Sequence, residues 1–151
     1  MAFDGAIPAE VPAPRAGRLA TVRASTADRA HSLPPLAVSV AAWAVPGAGH
    51  LLLGRRQKGV IFLVALTSMY AVGLWLSGRL FPFAGGEPLV LLAALATRGI
   101  GLPALATAWM GAGQGVVTAA SYEYGNAFLI VSGLLNLLVA LDAYDVALGR
   151  K

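Results

Sequence analysis

Residues 46–59 read Pro46-Gly47-Ala48-Gly49-His50-Leu51-Leu52-Leu53-Gly54-Arg55-Arg56-Gln57-Lys58-Gly59, and the rest of the chain is read around them. Pro46 removes a backbone donor, and Gly47 and Gly49 carry no side chain, so an apolar helix breaks here. His50 sits just past the break, and Gly54, Arg55, Arg56 and Lys58 make a basic turn. Behind the turn, Gly59 to Leu76 runs 18 residues without a charge. A broken apolar segment, a basic turn and an apolar helix of spanning length are the parts of a polytopic membrane protein.

Composition agrees. Hydrophobic residues make up 58% of the 151-residue chain and charged residues 12%, about half the charge content of a soluble domain. Mean hydropathy is +0.72. The net charge of +4 gathers at segment ends, where it orients helices and meets anionic headgroups. No basic patch is interleaved with aromatic residues, so nucleic acid is not an expected partner. The absence of cysteine excludes disulfides, thiolate catalysis, iron–sulfur clusters and c-type haem attachment.

Residues 1–34 are expected to be a disordered basic tail, rich in Ala and Pro, with Arg15, Arg18, Arg23 and Arg29 spread along it. No apolar run near Met1 suggests a signal peptide. A membrane helical domain follows over 35–151. Its first segment, 35–53, holds 19 uncharged residues interrupted at Pro46. It is either one kinked span or a re-entrant helix pair. Residues 59–76 and 126–146 are the two clear spans, with Asn126 read as the N-cap of the second. That helix is expected to reach Leu148, with Arg150 and Lys151 in its last turn. Between the spans, 88–122 reads as one helix over 102–119 or as two half-helices, because Arg98, Gly99, Gly101 and Pro103 interrupt it. The fold class is therefore an all-α membrane bundle: two transmembrane helices plus two broken or re-entrant segments, or four spans. Nine of the eleven basic residues lie on one side if both termini and the 54–58 turn are cytoplasmic, leaving only Arg79 and Arg98 outside.

The pattern Pro46-Gly47-x-Gly49-His50-x-x-x-Gly54-Arg55-x-x-Lys58-Gly59 resembles the signature turn of the two-transmembrane-helix domain superfamily. Leu52 stands where those proteins have an aromatic residue. Tyr122-Glu123-Tyr124-Gly125-Asn126, Leu134-Leu135-Asn136, Leu141-Asp142-Ala143-Tyr144-Asp145 and Gly149-Arg150-Lys151 resemble a family of small uncharacterised bacterial membrane proteins. The resemblance implies an inner-membrane location and brings no established activity.

Several residues are candidates for chemistry. His50 lacks the partners a metal site needs, since the only other histidine, His31, lies in the tail; a structural hydrogen bond to the broken backbone is expected of it. Asp142 and Asp145, three apart on one helix face, are expected to pair with Arg55 and Arg56. Ser132 and Asn136 are spaced i, i+4 beside Gly133, the pattern of polar packing between membrane helices. Glu123, between two tyrosines, belongs at an interface. Gly111-Ala112-Gly113-Gln114-Gly115 is not a phosphate loop, because no Lys-Ser/Thr pair follows. No cofactor is expected. The reading is a non-enzymatic structural, scaffolding or accessory subunit, with the bilayer and other membrane subunits or itself as partners. A small transporter or channel component is the alternative, and an intramembrane enzyme the third.

Overall fold

Proline and glycine set where the helices start and stop. The computed structural model describes residues 33–83 and 87–150, and these form six helices and no strand. The tail expected over 1–34 falls, up to residue 32, outside the described residues, as does Lys151. Helix α1 (Pro35–Ala44) opens on a proline in its first turn, where no amide donor is needed. It stops because the residue before a proline is pushed out of the helical region: Val45, ahead of Pro46, is extended at φ −128°, ψ 118°. Helix α2 (Ala48–Leu52) follows at once. Helix α3 (Arg56–Trp75) begins inside the basic turn, three residues before the charge-free run.

Helices α4 (Pro88–Arg98) and α5 (Leu102–Trp109) both carry a proline in their first turn, and α5 bends away from α4 by 106°. The continuous helix weighed for 102–119 does not form. The chain leaves helix at Trp109, and Gly111, Gly113 and Gly115 all take positive φ. Helix α6 (Tyr122–Ala147) starts four residues ahead of Asn126. Asn126 is therefore inside the helix and not its N-cap. Nor does Arg150 lie in its last turn: α6 ends at Ala147, and the chain turns at Gly149, φ +71°.

Helices α3 and α6, 20 and 26 residues long, are each long and apolar enough to cross a membrane, and the bent α4–α5 pair passes the same test if counted as one span. The two long helices run antiparallel. Gly73, late in α3, lies against Gly125 and Leu129, early in α6; at the far end Phe62 and Asp142 share one groove. Helix α6 is the axis of the molecule, with α1, α3 and α4 packed on it and α2 touching it near its end. Its inward face steps through Gly125, Leu129, Gly133, Asn136, Ala140 and Ala143. Small residues at this spacing let backbones approach closely, which is how helices associate when lipid supplies no hydrophobic drive. At Gly133 a β-carbon would run into the Ala96 carbonyl oxygen. The outward faces are apolar: Val64 is 61% exposed and Leu138 60%.

Four helices close the same way. The residues after the caps, Gly54, Ser77, Gly111 and Gly149, have positive φ. The next amide reaches back in each case: Arg55 to His50, Gly78 to Gly73, Ala112 to Thr107 and Arg150 to Asp145. This is the Schellman arrangement. Ser77, at φ 64°, is the one non-glycine there; a β-carbon in that region costs about 1–2 kcal/mol. Ser77→Gly is expected to stabilise the folded protein by about 1 kcal/mol, read as a higher thermal midpoint in detergent. Gly133→Ala is expected to destabilise it by about 1–3 kcal/mol through overpacking against α4. An unchanged midpoint for Gly133→Ala would mean that α4 does not pack on α6 at this point.

Candidate functional site: the junction of the two breaks

Both helix breaks end at one side chain. In an uninterrupted helix the Gly99 carbonyl would accept from residue 103, but that residue is proline and has no N–H. The Trp43 carbonyl would accept from Gly47, which the break turns to φ +79°. Asn136 Nδ2 donates to both carbonyls, at 2.9 Å to Trp43 O and 3.0 Å to Gly99 O. The partners fix the amide's orientation, because the reverse would set an acceptor against two acceptors. Asn136 is fully buried, midway along α6, and its Oδ1 has no hydrogen-bond partner among the described residues.

The tips touch each other as well as α6. At Gly101, φ +82°, a β-carbon would collide with the Trp43 carbonyl oxygen, so only glycine fits between the two breaks. Further bonds brace the outer turns. Ser39 Oγ donates to the Ala140 carbonyl at 3.2 Å, tying α1 to α6. The Tyr70 hydroxyl of α3 donates to Thr107 Oγ1 of α5 at 3.0 Å, and Thr107 donates in turn to the Pro103 carbonyl at 2.8 Å.

The glycines of the 46–59 motif have distinct jobs. A β-carbon on Gly47 would meet the Gly59 carbonyl oxygen, so the tip of the first hairpin rests on the first turns of α3. Gly49 is wedged between Ala42 of α1 and Ala143 of α6; its β-carbon would come within 2.7 and 2.9 Å of theirs. Its nearness to Ala42 and the Val38 carbonyl shows α2 folding back along α1. This return brings His50 to α6, where Nε2 lies 3.0 Å from Asp142 Oδ2. The acceptor-only carboxylate places the proton on Nε2. His50 is fully buried, Asp142 is 28% exposed, and the Phe62 ring stands edge-on to the imidazole at 5.2 Å. Nδ1 is buried with no hydrogen-bond partner among the described residues.

The remaining candidates take other positions, with the Arg55 amide donating to the His50 carbonyl at 2.8 Å. Arg55 is half-buried and Arg56 exposed. Asp145 pairs with Arg150, 3.6 Å away on the surface, a contact of small energetic weight. Glu123 is exposed in the first turn of α6, where a carboxylate suits the helix dipole. Asn126 Oδ1 accepts from the Arg79 amide at 2.7 Å and so anchors the turn after α3. Among the described residues no three His, Asp or Glu side chains converge as metal ligands do. Gly99, Gly101 and Thr107 escaped the sequence reading as site residues. The Gly99–Pro103 spacing was their signal, since it marks a carbonyl deprived of its helical donor.

The molecule is thus an all-helical protein with two, or counting the bent pair three, helices long and apolar enough to cross a membrane. It belongs to DUF6677, a family of unknown function whose model matches residues 37–151. No curated protein and no solved structure matches it.

Interhelical hydrogen bonds within membranes are worth about 0.6 kcal/mol each and at most about 1.7. Asn136→Leu, which orphans two carbonyls, is therefore expected to destabilise the protein by about 1–3 kcal/mol and lower the yield of folded protein in detergent. His50→Gln keeps a donor toward Asp142 and should fold close to normally. His50→Leu should reduce folded yield. A His50→Leu protein with unchanged yield and midpoint would remove the imidazole from the architecture.

Proposed function

We propose that the protein is a non-catalytic structural or accessory subunit of a bacterial inner-membrane assembly, with its two hairpins dipping into the bilayer from either end of α6. The observation that supports this most directly is the use of its buried polar groups. Asn136 closes both breaks, Ser39 and Ser132 bond helix carbonyls, and His50 is committed to Asp142. These groups hold the chain to itself. The grooves along its long helices are apolar. One groove between α1 and α6 is lined by Val40, Trp43, Leu137 and Leu141, and another between α3 and α6 by Ile61, Leu135 and Leu138. Kinship with the two-transmembrane-helix superfamily is part of the same proposal; the glycine contacts of the 46–59 turn give that motif a structural reason.

A transporter or channel component is the second reading. It rests on His50 Nδ1 and Asn136 Oδ1, two buried polar atoms without hydrogen-bond partners among the described residues. The chain has no cysteine, so single cysteines can be introduced without background. Cysteines at residue 2 and after Lys151 are expected to react with a membrane-impermeant maleimide only in opened cells. Photo-crosslinkers at Leu137 and Leu138 should give one discrete protein adduct in native membranes. Labelling of either terminus in intact cells would refute the topology. Proteoliposomes showing an ion flux that folded His50→Gln abolishes would replace the subunit reading with the transporter.

A further inference from the structure

The end of the molecule remote from the His50–Asp142 pair holds a second polar site. The turn after α3 and the loop after α5 pack face to face there. Leu80 donates its amide to the Gly113 carbonyl at 2.8 Å, and Val116 donates to Ser77 O at 3.2 Å. Asn126 holds the Arg79 amide from the α6 side. Beside these bonds lies an open cavity of about 180 Å³ lined by Arg79, Pro82, Arg98, Ala108, Gly113 and Gln114. The other cavities described are almost wholly apolar. This one is lined by two arginines and a glutamine.

The two arginines differ in their freedom. The Arg98 guanidinium is pinned: Nη1 donates to the Phe81 carbonyl at 3.0 Å and the group lies 4.3 Å above the Phe83 ring. The Arg79 guanidinium makes no hydrogen bond or ion pair with a described residue. Among the described residues neither is neutralised by a carboxylate. Two arginines lining one cavity without an acid call for an anion, and a planar fork of donors suits phosphate oxygens in particular.

Depth narrows the source. Trp75 ends α3, Trp109 ends α5 and Tyr124 begins α6, and they are 83%, 88% and 68% exposed. Exposed Trp and Tyr gathered at the ends of apolar helices mark the headgroup level of a bilayer. The arginine cavity lies at this same end.

We propose that Arg79 and Arg98, with Gln114, bind a phosphate group, and that the headgroup of an anionic phospholipid supplies it. The loop from Gly111 to Gly115 lacks the nucleotide-loop pattern, so the arginines and not backbone amides provide the charge. The inference does not depend on the subunit reading, since a lipid can seat on a scaffold or a transporter alike.

The test uses the full chain in a nonionic detergent, with binding followed by native mass spectrometry and by the thermal midpoint. The probes are phosphatidylglycerol, phosphatidylcholine and inorganic phosphate. Phosphatidylglycerol is expected to bind and raise the midpoint, with phosphatidylcholine weaker. Arg79→Gln, which breaks no bond described here, should fold with an unchanged ligand-free midpoint and bind at least about tenfold more weakly, as loss of a charge-assisted hydrogen bond implies. Arg56→Gln, at the opposite end, should bind as the parent does. Binding of inorganic phosphate in place of the lipid, abolished by the same variant, would keep the phosphate site and change its source. Failure of phosphatidylglycerol and inorganic phosphate alike to bind, phosphatidylcholine binding as tightly as phosphatidylglycerol, or equal binding by parent and Arg79→Gln, would overturn the proposal.

Discussion

One amide group holds the molecule's two interruptions together. A helix that breaks inside a bilayer leaves carbonyls that lipid cannot satisfy, so each break needs a donor from the protein. Here both breaks draw on the two N–H bonds of Asn136. The solution is compact because the needs coincide in space: Gly101 lets the second tip press against the Trp43 carbonyl of the first. The glycines and the asparagine form one device. The glycines bring three backbones together, and the asparagine supplies the donors that the prolines took away.

The same logic orders the rest of the bundle. Water cannot drive helices together inside lipid, so close packing and a few hydrogen bonds must do it. Helix α6 accordingly presents small residues inward along its length, while Leu134, Leu138 and Leu141 stay outside. Polar chemistry is sorted by depth. The mid-helix asparagine closes the breaks, the histidine–aspartate pair sits near one end, and the two arginines sit at the other among exposed tryptophans.

Much of this was legible locally and little of it at a distance. The two long helices announced themselves as uncharged runs, and both breaks were marked by Pro46 and by Gly99 to Pro103. Helix ends were read less well. Residues 122–125 and 56–58 are polar or charged, so an apolar pattern trims them away, yet at an interface they extend the helix at no penalty. Asparagine often caps helices, which makes Asn126 read as an N-cap; the structure turns its side chain to another segment's amide. Local charge pairs Asp142 with the arginines of the basic turn; a partner that the fold brings to it from that turn is His50. Nothing in local spacing says that residues 43, 99 and 136 share a point. That follows from how far each hairpin penetrates beside α6, which is a property of the assembled bundle.

The position of Asn136 in the chain has a consequence for biogenesis. The Trp43 carbonyl precedes its donor by 93 residues. At translation rates of about 5–20 residues per second, that separation lasts roughly 5–19 seconds. Throughout that interval the first hairpin exists without the helix it packs on, and the second hairpin waits a shorter time behind it. Insertion of α6 is thus the step at which two stranded turns become one bundle. Until then, the membrane-insertion machinery or a neighbouring protein must shelter the exposed carbonyls.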